Sequence, residues 1–254
     1  MTKLKNAIVG TLAMGVLFIP GIATANDKHA TGASATANST EKTRSDQRKA
    51  DAKAATFDEV KARCLKAIAD RQARLDRLAV KVGQTVDEHD LALQAIIITS
   101  QSGLIALKAA IDGNTTDLAA LKEDCQRIVT DLRIYALRVP QINLVMSIDK
   151  FDTAMAKLAT LHDELAGAIV AAQNASDPDA AKAAELLTKL EAKVASATTK
   201  IDGIDVAGLL AITPGAYNAD KKVLHPYLQS VRSARSDLKK ASQLAQQIAE
   251  LLEP

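Results

Sequence analysis

The chain reads as an all-α protein: an antiparallel up-down bundle of about six helices with coiled-coil-like seams, behind a disordered N-terminal tail. Three observations carry that reading. Ala, Leu, Lys and Asp dominate, and only 11 Gly and 6 Pro are spread over 254 residues, a balance that favours helix. Apolar residues recur at alternating steps of three and four, the period of one helix face. Capping residues, Gly or Pro stand where each periodic run begins or ends.

The N-terminus comes first. Lys3 and Lys5 precede an uncharged, largely apolar run from Ala7 to Ile19. At about 13 residues it falls within the range of about 7–15 for a secretory signal and short of the about 20 that span a bilayer. Pro20 and Gly21 break it, and Ala23-Thr24-Ala25 offers small residues to a signal peptidase. The expectation is export to the periplasm, cell envelope or medium, with residues 1–25 removed after Ala25. No Cys at the junction suggests a lipid anchor. Cleavage would remove Lys3 and Lys5 and no acid, turning 32 basic and 30 acidic residues into 30 of each. A neutral chain has no global field for nucleic acid or anionic membrane. Residues 26–55 are rich in Ala, Ser and Thr and lack large apolar side chains. They cannot offset the entropy of ordering, so a disordered tail is expected there.

The helices follow in order. Thr56-Phe57-Asp58-Glu59 is a capping box, and its helix runs to Val82, before Gly83. Thr85-Val86-Asp87-Glu88 repeats the device and opens a second helix to Asp112, closed by Gly113-Asn114. The third is expected from Asp117 to Arg138, with Leu118, Leu121, Cys125, Ile128, Leu132 and Tyr135 on its seam. Pro140 suits the first turn of a fourth, which reaches Asn174 along Leu144, Ile148, Phe151, Met155, Leu158, His162, Leu165 and Ile169. Asp177-Pro178 opens a fifth that ends at Gly203. A broken stretch with Gly208, Pro214 and Gly215 follows, and a sixth helix covers Asn218 to Leu252, with Pro226 bending it or moving its start to His225. Short connections make neighbours antiparallel. Residues 56–174 then form a bundle, and 175–254 a helical hairpin packed on it or separate.

The second helix stands out. Leu91 to Leu107 carries no charge and includes Ile96-Ile97-Ile98, but Gln94, Thr99, Ser100, Gln101 and Ser102 interrupt it. At about 17 residues the run is at the short limit for a membrane span. The expectation is the most buried helix of the bundle and no transmembrane helix in the mature chain.

Two cysteines in an exported chain point to a disulfide, Cys64–Cys125. Each lies about 10–12 Å into its helix, the first and the third, and an up-down-up order puts both at one level. Glu88-His89-Asp90 and His162-Asp163-Glu164 resemble ligand clusters, but chelation within a helix needs partners three or four residues apart, which neither His has. No metal or cofactor motif is present, so none is expected. His162 is expected as a core or edge imidazole with a hydrogen-bond partner. Arg71 falls between Ile68 and Leu75 on the buried face of the first helix. It either lifts its head to water or pairs with a carboxylate. Arg71 and His162 are therefore candidates for a polar core or ligand site. Arg63, Lys66, Arg74, Arg77 and Lys81 form one basic stripe, a candidate surface for an anionic envelope polymer or acidic partner. Residues 83–219, by contrast, hold 11 basic and 18 acidic side chains. There is no nucleophile elbow, zincin motif or phosphate loop. The expected function is a non-catalytic structural or interaction role through an unidentified protein or polymer partner, with self-association open. The alternative is a small-ligand or metal binder using the bundle interior near Arg71 or His162.

Overall fold

The computed structural model describes residues 56–84 and 87–253. The expected signal peptide, the expected tail and the Thr85-Val86 half of the second capping box lie outside the described residues. Within them the protein is all-α and contains no strand. The long helices are α1 (Phe57–Val82), α2 (Asp90–Gly113), α3 (Leu118–Thr130), α4 (Val139–Asn174) and α5 (Ala180–Asp202). Two short ones, α6 (Val206–Ala211) and α7 (Pro214–Ala219), lead into α8 (His225–Leu251). A π turn, Ile134–Arg138, joins α3 to α4.

Local chemistry accounts for most of the ends. Thr56 Oγ1 accepts from the Glu59 N–H, and the Thr56 N–H donates back to Glu59 Oε2 at 2.9 Å, satisfying two orphan donors at once. Asp117 caps α3 through the Ala119 and Ala120 N–H groups. Pro140 and Pro226 occupy first turns, where no hydrogen bond is lost. At α2 the boundary differs from expectation: the helix starts at Asp90, whose carboxylate accepts from the Asp87 N–H at 2.9 Å.

Side-chain pairs fix the packing direction. Lys61 at the start of α1 donates to the carbonyls of Asp112 and Asn114 at the end of α2, while Gln101 donates to Asp76. Advancing along α1 thus means retreating along α2. The same logic sets α4 against α5, through His162 with Glu191 and Met155 with Thr198. The α5 and α8 helices meet around Asp237 and both pack on α4. The hairpin is therefore joined to the rest of the core.

Helix α3 stops at Thr130, where the sequence pattern predicts continuation to Arg138. Arg133 takes φ 46°, ψ 36°, a left-handed conformation that an L-residue adopts at a cost and that no helix can run through. Tertiary contacts hold the bend: Arg133 Nε donates to Asn218 Oδ1, and Asn218 Nδ2 donates to the Thr130 carbonyl. Tyr135 leaves the expected seam and is 48% exposed.

The 36 residues of α4 span about 54 Å and serve as a spine. Its first third is buried almost all round: Val139, Gln141, Ile142, Leu144, Val145, Met146, Ser147, Ile148, Asp149 and Phe151. Beyond Phe151 only Leu158, Leu161, Leu165 and Ile169 are buried, a single stripe. The most enclosed segment is therefore the start of α4, not α2.

Candidate functional site

Helix α2 presents two apolar faces. One holds Leu93, Ile97, Ser100, Leu104, Leu107 and Ile111, buried against the neighbouring helices. The other holds Leu91, Ala95, Ile98, Ser102, Ile105 and Ala109, all exposed. At about 100° per residue the two stripes lie on nearly opposite sides of the helix. The three large residues of the outer stripe are 82%, 61% and 56% exposed. Along the whole outer stripe the steps alternate four and three, and a large residue alternates with a small one throughout. By length and composition α2 could cross a membrane, yet only 28% of its most apolar stretch is buried inside the protein. A helix apolar on all sides ordinarily has all sides covered; here the described residues cover one. The expectation of a most-buried helix failed because an uncharged run does not reveal how many of its faces the chain itself will cover.

The remaining sequence-predicted residues are dispersed. Cys64 and Cys125 form a disulfide with Cα atoms 5.5 Å apart; each is the eighth residue of its helix. Arg71 is half-buried. Its guanidinium lies 5.0 Å from the Tyr135 ring, and Nη1 donates to the Ala67 carbonyl. Neither contact involves a carboxylate. His162 sits at the edge of the α4–α5 contact, bonded to Glu191 at 2.7 Å and Asp163 at 3.1 Å, which raise its pKa. The buried seam residue beside it is Leu161. Arg71 and His162 thus belong to different helix pairs and do not form one site. Arg63, Lys66, Arg77 and Lys81 are exposed and Arg74 half-buried. Among the described residues none of the five is in an ion pair.

Three polar clusters escaped sequence reasoning because each joins distant segments. His89 Nδ1 lies 2.6 Å from Asp149 Oδ1. Asp149 is buried, and its Oδ2 has no partner among the described residues. Burial pushes its carboxyl above the usual range, the His89 bond opposes that, and the charges of Asp87 and Asp90 add to the rise. Gln141, fully buried, donates Nε2 to the Leu209, Leu210 and Ile212 carbonyls and accepts from Arg138. Burial lowers the Arg138 pKa. This pair ties the end of α6 to the start of α4. Asp237, also buried, meets Lys200, Ser196 and Lys193, and the Lys200 bond leads the lowering of its pKa. Among the described residues no three His, Cys, Asp or Glu side chains converge to hold a metal ion.

No protein-family model, curated protein or solved structure matches this chain.

Proposed function

We propose that this is an exported, non-catalytic interaction protein that docks a partner helix on the outer face of α2. One observation carries the reading: a continuous, uncharged apolar stripe from Leu91 to Ala109 lies outside a fold that already has a complete core beneath it. Contiguous apolar surface of this kind marks interaction sites, and its helical spacing suits a helix laid against it. The disulfide supports a role in an oxidising compartment, where such bonds persist. The α1 stripe of Arg63, Lys66, Arg74, Arg77 and Lys81 supports a second, electrostatic contact with an anionic envelope polymer.

Site-specific photo-crosslinking in the native host tests the docking face. A benzophenone side chain at Ile98 or Ile105 should give a discrete protein adduct, and one at exposed Lys189 on α5 should not. Uncrosslinked chain alone from both α2 positions would sink the proposal.

A further inference from the structure

Resting on that docking face, we infer that its occupant is the α2 helix of a second copy, packed antiparallel about a two-fold axis that passes between Ile98 and Ser102. The residue sizes along the stripe carry this. Leu91, Ile98 and Ile105 alternate with Ala95, Ser102 and Ala109. Under that axis Ile98 meets Ser102 of the other copy, Leu91 meets Ala109, and Ala95 meets Ile105. Every layer then sets a large side chain against a small one, and a single patch complements itself, as an isologous interface requires. A parallel pairing would set large against large and small against small, leaving alternate bulges and gaps. The four-three spacing also matches helices that cross at about +20°.

Asp90 and Lys108 are separated by about five full helical turns, so they project from one flank of α2. Antiparallel pairing brings Asp90 of one helix to the level of Lys108 of the other, where Lys108 already pairs with Asp112 of its own helix, so charge does not oppose the packing. The stripe is roughly 27 Å long and about 10 Å wide, so two copies would cover on the order of 500 Å², below the about 1,200 Å² at which standard interfaces begin. The dimer expected is weak and reversible.

Sedimentation equilibrium on protein purified from its host tests this over about 1–200 µM, a span suited to so small an interface. Wild type should shift from monomer to dimer mass. Ile98→Glu and Ser102→Lys, both at exposed positions and checked for unchanged helical circular dichroism, should each lose the dimer. Mixing the two variants should restore it, because position 98 faces position 102. A wild type that is monomeric throughout overturns the dimer. So does a mixture that fails to recover, or flotation of the protein with vesicles of phosphatidylethanolamine and phosphatidylglycerol. The photo-crosslinks separate the two proposals. An adduct at Ile98 with a different protein, or within the same chain, overturns the second copy. With a different protein the docking face stands, and with no intermolecular adduct it falls too.

Discussion

Reducing the Cys64–Cys125 bond should lower the urea midpoint of unfolding by about 1.3–2 M. The bridge closes a loop across 61 positions, and in the chain-entropy model a loop of that length restricts the unfolded state by about 4 kcal/mol. A urea slope of about 2–3 kcal/mol/M for a chain of this size converts that energy into the stated shift. Little of the effect should come from lost packing, since reduction leaves both side chains in place. The assay compares oxidised and dithiothreitol-treated protein by far-ultraviolet circular dichroism in urea. Cys64→Ala, Cys125→Ala and the double variant serve as controls. Each single variant should lose about as much as the double, because either one opens the same loop. Coincident midpoints for oxidised and reduced protein would refute the reasoning, as would single losses that add up in the double variant.

Asp149 and Asp237 should shape the pH dependence in opposite senses. The Asp149 pKa is raised, so its contribution is fully present below the ordinary carboxylate value and lost as pH rises through the folded value. Asp149→Asn should remove that loss from a Tm-against-pH profile. The Asp237 pKa is lowered, so its contribution is present above the ordinary value and lost as pH falls through the folded value. Asp237→Asn should flatten the acid limb. Gln141→Leu would strip the Leu209 and Leu210 carbonyls of the side-chain donor they share. A loss of about 2–3 kcal/mol is expected, with faster amide exchange across α6 than across α1. Gly167 lies within α4 with nothing within 4 Å of an added Cβ, so Gly167→Ala should stabilise by about 0.5–1 kcal/mol. Gly103→Ala should gain less in the same thermal melts, because its Cβ would fall 2.6 Å from Leu132 Cδ2 and force that side chain to move.

Local signals were legible and long-range ones were not. Thr56 and Glu59, Asp117, Pro140 and Gly203 each act on backbone within a turn of themselves, so their role can be read from neighbours alone. The cysteine pairing was also legible, because two helix starts and one rise per residue suffice to match heights. The end of α3 was not. Leu132 and Tyr135 continue the apolar period past Thr130, and the break depends on Asn218, 85 positions from Arg133. The His89–Asp149 contact likewise joins residues 60 positions apart, and neither carries a local motif. His162, expected as a core or edge imidazole with a hydrogen-bond partner, lies at the edge bonded to Glu191, and the buried seam position is Leu161, a rotation of about 100° away.

Helix α2 shows why function was harder to read than fold. Its apolar content was evident, and a core helix is the ordinary explanation for such content. Counting apolar residues cannot divide them between two faces, but their size pattern can. On the buried face Leu93, Ile97, Leu104, Leu107 and Ile111 are all large, with Ser100 the exception, as a core facing several helices requires. On the outer face large and small residues alternate strictly, a pattern suited to one partner helix approaching closely. Ser100 bonds the Ile96 carbonyl within its own helix, so the polar residue of the inner face asks nothing of its neighbours. Ser102, on the outer face, leaves its size as the relevant property: it makes room. If that is its role, Ser102→Ala should preserve association, whereas Ser102→Leu should weaken it by filling the space that Ile98 of the facing helix needs. Sedimentation of the two variants distinguishes a size requirement from a hydroxyl requirement, and an Ala variant as defective as the Leu variant would overturn the packing argument.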